Sequence, residues 1–228
     1  MPSARFSLAR LRDKILMRIW QTRSSGLSGA RYWEERARLF GSRAVLNLSH
    51  SSSEIDRVTE MQKREILPFV TKLLRGDELH VLDFGCGPGR FTTALLQHSR
   101  GTVIAADPVR SLLLKVPREP RVACLQIQGG TLPLASDSVD VVWVCLVLGG
   151  IPSDAIGTIA RELQRVLKKG GTLILVENTT EAKSSAHWHF RTKSEYQSLF
   201  DTVSLTCLNE YTDAKELISV MAGNRDRS

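Results

Sequence analysis

Val81-Leu82-Asp83-Phe84-Gly85-Cys86-Gly87-Pro88-Gly89-Arg90 is the stretch that decides the fold. An apolar pair and an acidic residue run into three alternating glycines, and a helix-like segment, 91–97, follows. That is the outline of a strand, a tight turn and a helix start. Glycines in such a turn let the main chain take positive φ and let a ligand press against the backbone. The first amides of the helix lack internal partners and lie at the positive end of its dipole, which suits a carboxylate.

Working outward, strands and helices alternate. Apolar runs at 80–84, 102–106, 121–127, 139–146 and 172–177 read as strands, with helical segments at 89–98, 109–115 and 154–168 between them. Ser153 is expected to cap the last of these, and Lys168-Lys169-Gly170-Gly171 to close it. Such alternation implies a parallel sheet covered on both faces. Thr192-Lys193-Ser194-Glu195 is a capping box that opens a further helix, and 203–209 and 216–221 read as two final strands. Upstream, Ser51-Ser52-Ser53-Glu54 is another capping box, opening a helix over 52–74 whose core candidates are Val58, Met61, Ile66, Phe69, Val70 and Leu73. Before it, 30–40 reads as a short helix with Tyr32, Trp33, Ala37 and Phe40 as its apolar part.

The charge is uneven. Residues 1–50 hold ten Lys/Arg and three acids, while 51–228 hold 21 of each sign, so the whole net charge of +7 lies in the first fifty residues. Leu8, Leu11, Ile15 and Ile19 recur at helical spacing among Arg5, Arg10, Arg12, Lys14 and Arg18. This basic amphipathic helix has three readings: packing on the body, contact with an anionic membrane surface, or a targeting segment, the last without a clear cleavage signal. The chain divides into a basic helical arm, 1–50, and a body, 51–228. No apolar run reaches the ~18–20 residues of a membrane span, and a cytoplasmic protein, peripheral at most, is expected. Cys86, Cys124, Cys145 and Cys207 form no Cys-x-x-Cys pair, so buried thiols are expected rather than a metal site or disulfides.

A dinucleotide turn places its third glycine one residue later than Gly89 and has Gly or Ala where this chain has Arg90. With Asp83, Gly85, Gly87 and Gly89 in place, the turn instead resembles the first motif of the class I S-adenosylmethionine (SAM)-dependent methyltransferases, small-molecule members of the methyltransferase type 11 kind. The run Leu132-Pro133-Leu134 with Asp137-Ser138-Val139-Asp140-Val141-Val142, and Arg165 to Gly171, resemble the family as well. The resemblance covers about 79–180. It implies a Rossmann-like, seven-stranded, mostly parallel sheet with helices on both faces and a final antiparallel pair.

It also implies a site at the carboxyl ends of the strands. Asp83 would brace the turn and the cofactor's amino group, and Gly85 and Gly87 would offer backbone to its methionine part. Asp107, 22 residues after Gly85, can accept two hydrogen bonds from a ribose diol, although helix capping would equally explain it. Gln128 stands where many members place an acid facing adenine. Cys145 and Leu146 would line the wall near the sulfur, and Cys86, Pro108 and Gly129 complete the expected cofactor contacts. No metal is expected.

The acceptor side departs from the family. Many small-molecule members place one or two histidines after Val147-Leu148, where this chain has Gly149-Gly150. The amino-directed Asp/Asn-Pro-Pro-Tyr/Phe motif is missing too, which argues against base methylation in nucleic acids. His187 and His189, in His187-Trp188-His189-Phe190-Arg191, are the catalytic candidates, with Arg191 as an anion-pairing group. Glu177 is either structural or faces the acceptor, and His50 reads as a solvated loop residue. The expectation is methyl transfer to a small or lipid-linked, anionic acceptor, at oxygen. The alternative is a SAM-binding module without turnover that acts through residues 1–50. An NAD-dependent oxidoreductase and a nucleic-acid binder are disfavoured by the turn and by the confinement of the charge to one arm.

Overall fold

The computed structural model describes residues 4–227; the side chains of residues 4–10 and of Ser52 fall outside that description. Two helices, α1 (Ala4–Arg23) and α2 (Gly29–Phe40), precede α3 (Ile55–Val70). The body then runs β1 (His80–Phe84), α4 (Thr92–Gln97), β2 (Thr102–Asp107), α5 (Arg110–Leu113), β3 (Val122–Gln126), β4 (Val139–Cys145), α6 (Ile156–Val166), β5 (Leu167–Asn178), α7 (Lys193–Leu199), β6 (Thr206–Asp213) and β7 (Glu216–Asn224).

The strands form one seven-stranded sheet in the order β3-β2-β1-β4-β5-β7-β6. The first five are parallel, and β7 lies antiparallel to both β5 and β6. This is the α/β, Rossmann-like architecture expected. Residue alternation along each strand builds two cores. Leu82, Phe84, Val142, Val144, Leu173 and Leu175 face α6 and α7. Val81, Val103, Val141, Trp143, Ile174 and Val176 face α3 and α4. The chain order reverses between β1 and β4, which is where an open sheet of this kind leaves its binding crevice.

Several element boundaries differ from the sequence expectation. β5 starts at Leu167, directly after α6, and Lys168–Gly171 forms an irregular stretch within the strand instead of closing the helix: Leu167 pairs with Val139 and Thr172 with Val141. Ser153 caps nothing: α6 begins at Ile156 with Ala155 at its N-cap. Both capping boxes form, with Ser51 N donating to Glu54 Oε2 at 2.9 Å and Thr192 N to Glu195 Oε2 at 2.6 Å. The helix expected over 52–74 splits into a 3-10 turn, Ser52–Glu54, and α3, which ends at Val70 two residues past Pro68. Pro68 lacks an N–H, so its bond to the carbonyl of Arg64 is missing from the last turns of the helix.

Two expectations about burial are overturned. Cys86 is buried and Cys145 half-buried, but Cys124 and Cys207 are exposed. Each sits on an edge strand, β3 or β6, where one flank has no neighbour to cover it. Among the described side chains of α1 the buried ones are Asp13 and Trp20, not the expected apolar stripe. Asp13 lies 3.1 Å from Arg43 Nη1, and Trp20 packs edge-on to Tyr32 and Phe40 with ring centroids 5.0 and 5.9 Å away. Leu11 and Ile15 are 56% and 51% exposed, and Ile19 is half-buried. Arg5, Leu8 and Arg10 lie outside the described side chains. Among the described residues no helix is long and apolar enough to cross a membrane.

Candidate active site

A cavity of 1040 Å³ opens at the carboxyl edge of the sheet. It exceeds the ~300–1,000 Å³ of an ordinary small-ligand site, which leaves room for two ligands side by side. Its floor is the glycine turn. Gly85, Gly87 and Gly89 take φ of +71°, +55° and +81°, a region that disfavours any side chain. A Cβ at Gly85 would come within 2.4 Å of Val147, and one at Gly87 within 2.8 Å of Val45.

Two buried carboxylates flank this floor. Asp83 lines the cavity and accepts from Thr92 Oγ1 at 2.6 Å. Burial pushes its pKa up to about 7; the Thr92 bond lowers it and the charge of Asp107 raises it further. Asp107 accepts from Gly87 N at 2.9 Å and Val109 N at 2.8 Å, which ties the end of β2 to the turn. Burial raises its pKa and those two amides oppose the rise. Each carboxylate oxygen of Asp107 keeps a second acceptor position. It does not cap α5, whose N-cap is Val109.

Of the other expected cofactor contacts, Cys86, Pro108, Gln128, Gly129, Cys145 and Leu146 line the cavity. Gly87 contributes its amide to Asp107 but lies beneath the Val45 side chain, outside the lining. Leu146 takes φ +57°, uncommon for a residue with a side chain, and turns the chain out of β4. The glycine cradle, the two buried carboxylates and the apolar wall fit a nucleoside carrying an amino-acid tail. Asp107 would hold the diol, Asp83 would face the ammonium, and Gly85 would offer its backbone.

The opposite wall comes from the arm, the 185–188 segment and the last hairpin. Gly149-Gly150 has a steric reason: a Cβ at Gly149 would meet the Trp188 indole at 2.6 Å, and one at Gly150 would meet Trp33 at 2.8 Å. The glycines seat two tryptophans, both of which line the cavity. His187 lines it too, stacked on Tyr32 with ring centroids 3.9 Å apart. Its pKa lies below the usual imidazole value, first through burial, then through Arg36 and His189, against a hydrogen bond with the Ser24 backbone.

His189 is not part of this wall; its amide donates to Gly149 O at 2.7 Å. Arg191 does not line the cavity as an anion-pairing group for a ligand. It is buried, donating to Leu148 O at 2.9 Å and Ile151 O at 3.0 Å. Glu177 is structural, accepting from the amides of Val147, Leu148 and Gly149 at 2.9, 2.8 and 3.4 Å. Arg191 and Glu177 together fix the 147–151 loop on which the tryptophans rest.

Three further groups carry the polar end of the cavity, and sequence reading did not find them. Asp213 and Glu216 line it from the tips of β6 and β7. β6 runs parallel to β5 across the intervening β7, so its carboxyl end falls on the same edge as the other site residues. That placement, applied to the expected final strands, was the available signal. Asp213 accepts from Gln62 Nε2 at 2.7 Å and pairs with His50 Nε2 at 2.8 Å, so His50 is not a solvated loop residue. Glu216 accepts from Asn47 at 3.2 Å and Asn178 at 2.9 Å. Arg90, the third group, donates to Thr59 Oγ1 at 3.0 Å and to Gln62 Oε1.

Comparison with known proteins agrees with this geometry. The sequence pattern of a family described as a methyltransferase domain matches residues 82–175. Phosphoethanolamine N-methyltransferase 3 of Arabidopsis thaliana is 24% identical over 180 residues, covering 74% of this chain and 35% of that protein. Malonyl-[acyl-carrier protein] O-methyltransferase of Enterobacter lignolyticus is 29% identical over 116 residues, 50% of this chain and 45% of that protein. The chain thus spans less than half the length of these curated relatives. A SAM-dependent methyltransferase from Aquifex aeolicus shares the fold at a TM-score of 0.57 and 19% identity, covering 75% of this chain and 97% of that one. Glycine turn, strand order, carboxyl-edge cavity and matched pattern converge: residues 82–175 match the methyltransferase domain, and the chain has the fold of S-adenosylmethionine-dependent methyltransferases.

Proposed function

We propose that this protein transfers a methyl group from SAM to an oxygen of a small or lipid-linked acceptor, with His187 as general base. When bound, SAM supplies a methyl on a sulfonium, which leaves readily. The chain's own residues must then hold the acceptor, exclude water and take a proton. His187 is the observation that carries the reading: it lines the cavity, Tyr32 fixes its plane, and its lowered pKa keeps the ring neutral near pH 7. Trp33, Trp188 and Tyr32 form the apolar walls around it.

Labelled SAM incubated with fractionated lysate, with identification of the labelled product, tests the reading directly. An O-methyl product is expected. With that acceptor, His187→Gln lowers kcat by ~100-fold or more, the usual range for a lost general base. Wild-type kcat rises with pH as the imidazolium loses its proton, with its midpoint below the ordinary imidazole pKa of ~6.5. A product methylated at nitrogen, with His187→Gln unimpaired, sinks the oxygen reading. It would favour a basic-amine acceptor held by Asp213 and Glu216, the reading suggested by these cavity carboxylates and by the phosphoethanolamine-specific relative.

For the arm, we propose contact with an anionic membrane surface through α1. Leu11 and Ile15 stand one turn apart and exposed, with Arg12, Lys14 and Arg18 exposed beside them. That is an apolar strip framed by cations. The protein is expected to co-sediment with phosphatidylserine vesicles at low salt. Leu11→Glu with Ile15→Glu releases it, as does ~0.5 M salt if charge contributes, through the shortened screening length. Equal recovery with uncharged vesicles, or no effect of the double substitution, counts against this contact.

A further inference from the structure

Among the described residues, the cavity wall holds one cation without a counter-ion. Arg36, on α2, lines the cavity. Its Nη2 donates to Leu46 O at 2.7 Å and its Nη1 to Tyr32 Oη at 3.1 Å, both neutral acceptors. Its Nε is closed off from solvent and has no hydrogen-bond partner. The guanidinium carbon lies 4.9 Å from the Trp33 ring centroid, which shields it further. Among the described residues no carboxylate pairs with it. Burial lowers its pKa, and Arg43 adds to that effect.

Two other cavity charges, Arg90 and Asp213, are answered from within the protein. Arg90 reaches Asp213 through Gln62, whose Oε1 takes the guanidinium and whose Nε2 donates to the carboxylate. Asp213 also has His50. Arg36 has no such relay. A half-buried guanidinium with its Nε closed off from solvent gains from an anion that completes it, and its planar fork matches carboxylate and phosphate oxygens.

We infer that Arg36 is an anion-binding residue of the cavity, completed by an oxyanion, carboxylate or phosphate, that a ligand carries in. Tyr32 and Leu46 O fix the fork, and Trp33 covers its face. Two ligands could bring that group: the cofactor, through its amino-acid carboxylate, or the acceptor, through an anionic substituent. The inference rests on the methyltransferase reading above. It adds a cofactor or acceptor contact that the glycine turn does not supply.

Calorimetry on wild type and Arg36→Gln separates the sources. S-adenosylhomocysteine carries the carboxylate, 5′-methylthioadenosine lacks the whole amino-acid tail, and inorganic phosphate is titrated into protein saturated with S-adenosylhomocysteine. If the cofactor brings the anion, Arg36→Gln weakens S-adenosylhomocysteine by tenfold or more and leaves methylthioadenosine within twofold. If the acceptor does, both nucleosides bind as before and the wild-type response to phosphate disappears in the variant. Arg36→Lys keeps the charge without the fork and is expected to lose only part of the affinity, which serves if the Gln variant does not fold. Equal weakening of both nucleosides makes Arg36 a structural residue and overturns the inference. So does a variant that binds S-adenosylhomocysteine and phosphate as the wild type does. A wild type that binds neither nucleoside overturns the methyltransferase reading itself, and this inference with it.

Discussion

Asp107→Ala is expected to abolish measurable binding of S-adenosylhomocysteine, with an affinity loss of ~100-fold or more by calorimetry. The carboxylate is buried at the end of β2 and already holds two amides, Gly87 N and Val109 N. Its removal has two effects. The hydroxyls of a ribose lose an ionised acceptor, at ~1.5–3 kcal/mol per charge-assisted bond, and two such bonds account for the hundredfold. The glycine turn also loses the tie that holds it against β2, so the backbone cradle loosens. Asp107→Asn keeps one carbonyl oxygen and should retain part of the affinity. Wild-type affinity in the alanine variant would refute the assignment of Asp107 to the diol, whatever became of the rest of the site.

Glu177→Ala is expected to be the most destabilising single change at the site, lowering the melting temperature by ~10 °C. Glu177 is fully buried, and three successive amides, 147 to 149, point at its carboxylate. Alanine leaves them without an acceptor and leaves the neighbouring Arg191 guanidinium uncompensated. Losing one partner of such a buried charged cluster costs ~3–5 kcal/mol, and each kcal/mol shifts a domain of this size by ~2–4 °C. Burial also pushes the Glu177 pKa up to about 7, against the pull of the three amides and Arg191. The folded chain therefore holds a proton that the unfolded chain releases at lower pH. The stability from this group is fully present below the ordinary carboxylate range and is lost as pH rises through about 7. Asp83 acts in the same direction. Glu177→Gln should narrow the difference in melting temperature between pH 5.5 and pH 8. An alanine variant that melts with the wild type would show the loop to be held by other contacts.

The glycine turn and the strand–helix alternation make the sheet legible in the sequence, because both are local patterns. Cofactor candidates followed from them, since a parallel sheet puts every strand end on one edge. What the sequence could not display were pairings between distant segments. Asp213 and His50 are 163 positions apart, and neither has a local pattern that marks it. Gln62 and Thr59 lie on the buried face of α3 as polar residues, so they break the apolar stripe there. Arg191 and Arg36 show the same limit from the other side: adjacent residues suggested an anion site at one, whereas tertiary packing spends that arginine on carbonyls and leaves the other without a counter-ion. Gly149-Gly150 looked like a missing base; its meaning lay in two indoles that arrive from residues 33 and 188.

Those indoles give the protein a built-in optical gauge. The chain has four tryptophans. Trp33, Trp143 and Trp188 border the chamber, and Trp20 is one ring away, against Tyr32. Filling or emptying that space changes the surroundings of nearly every emitter the molecule owns, so its intrinsic fluorescence reports occupancy without any attached dye.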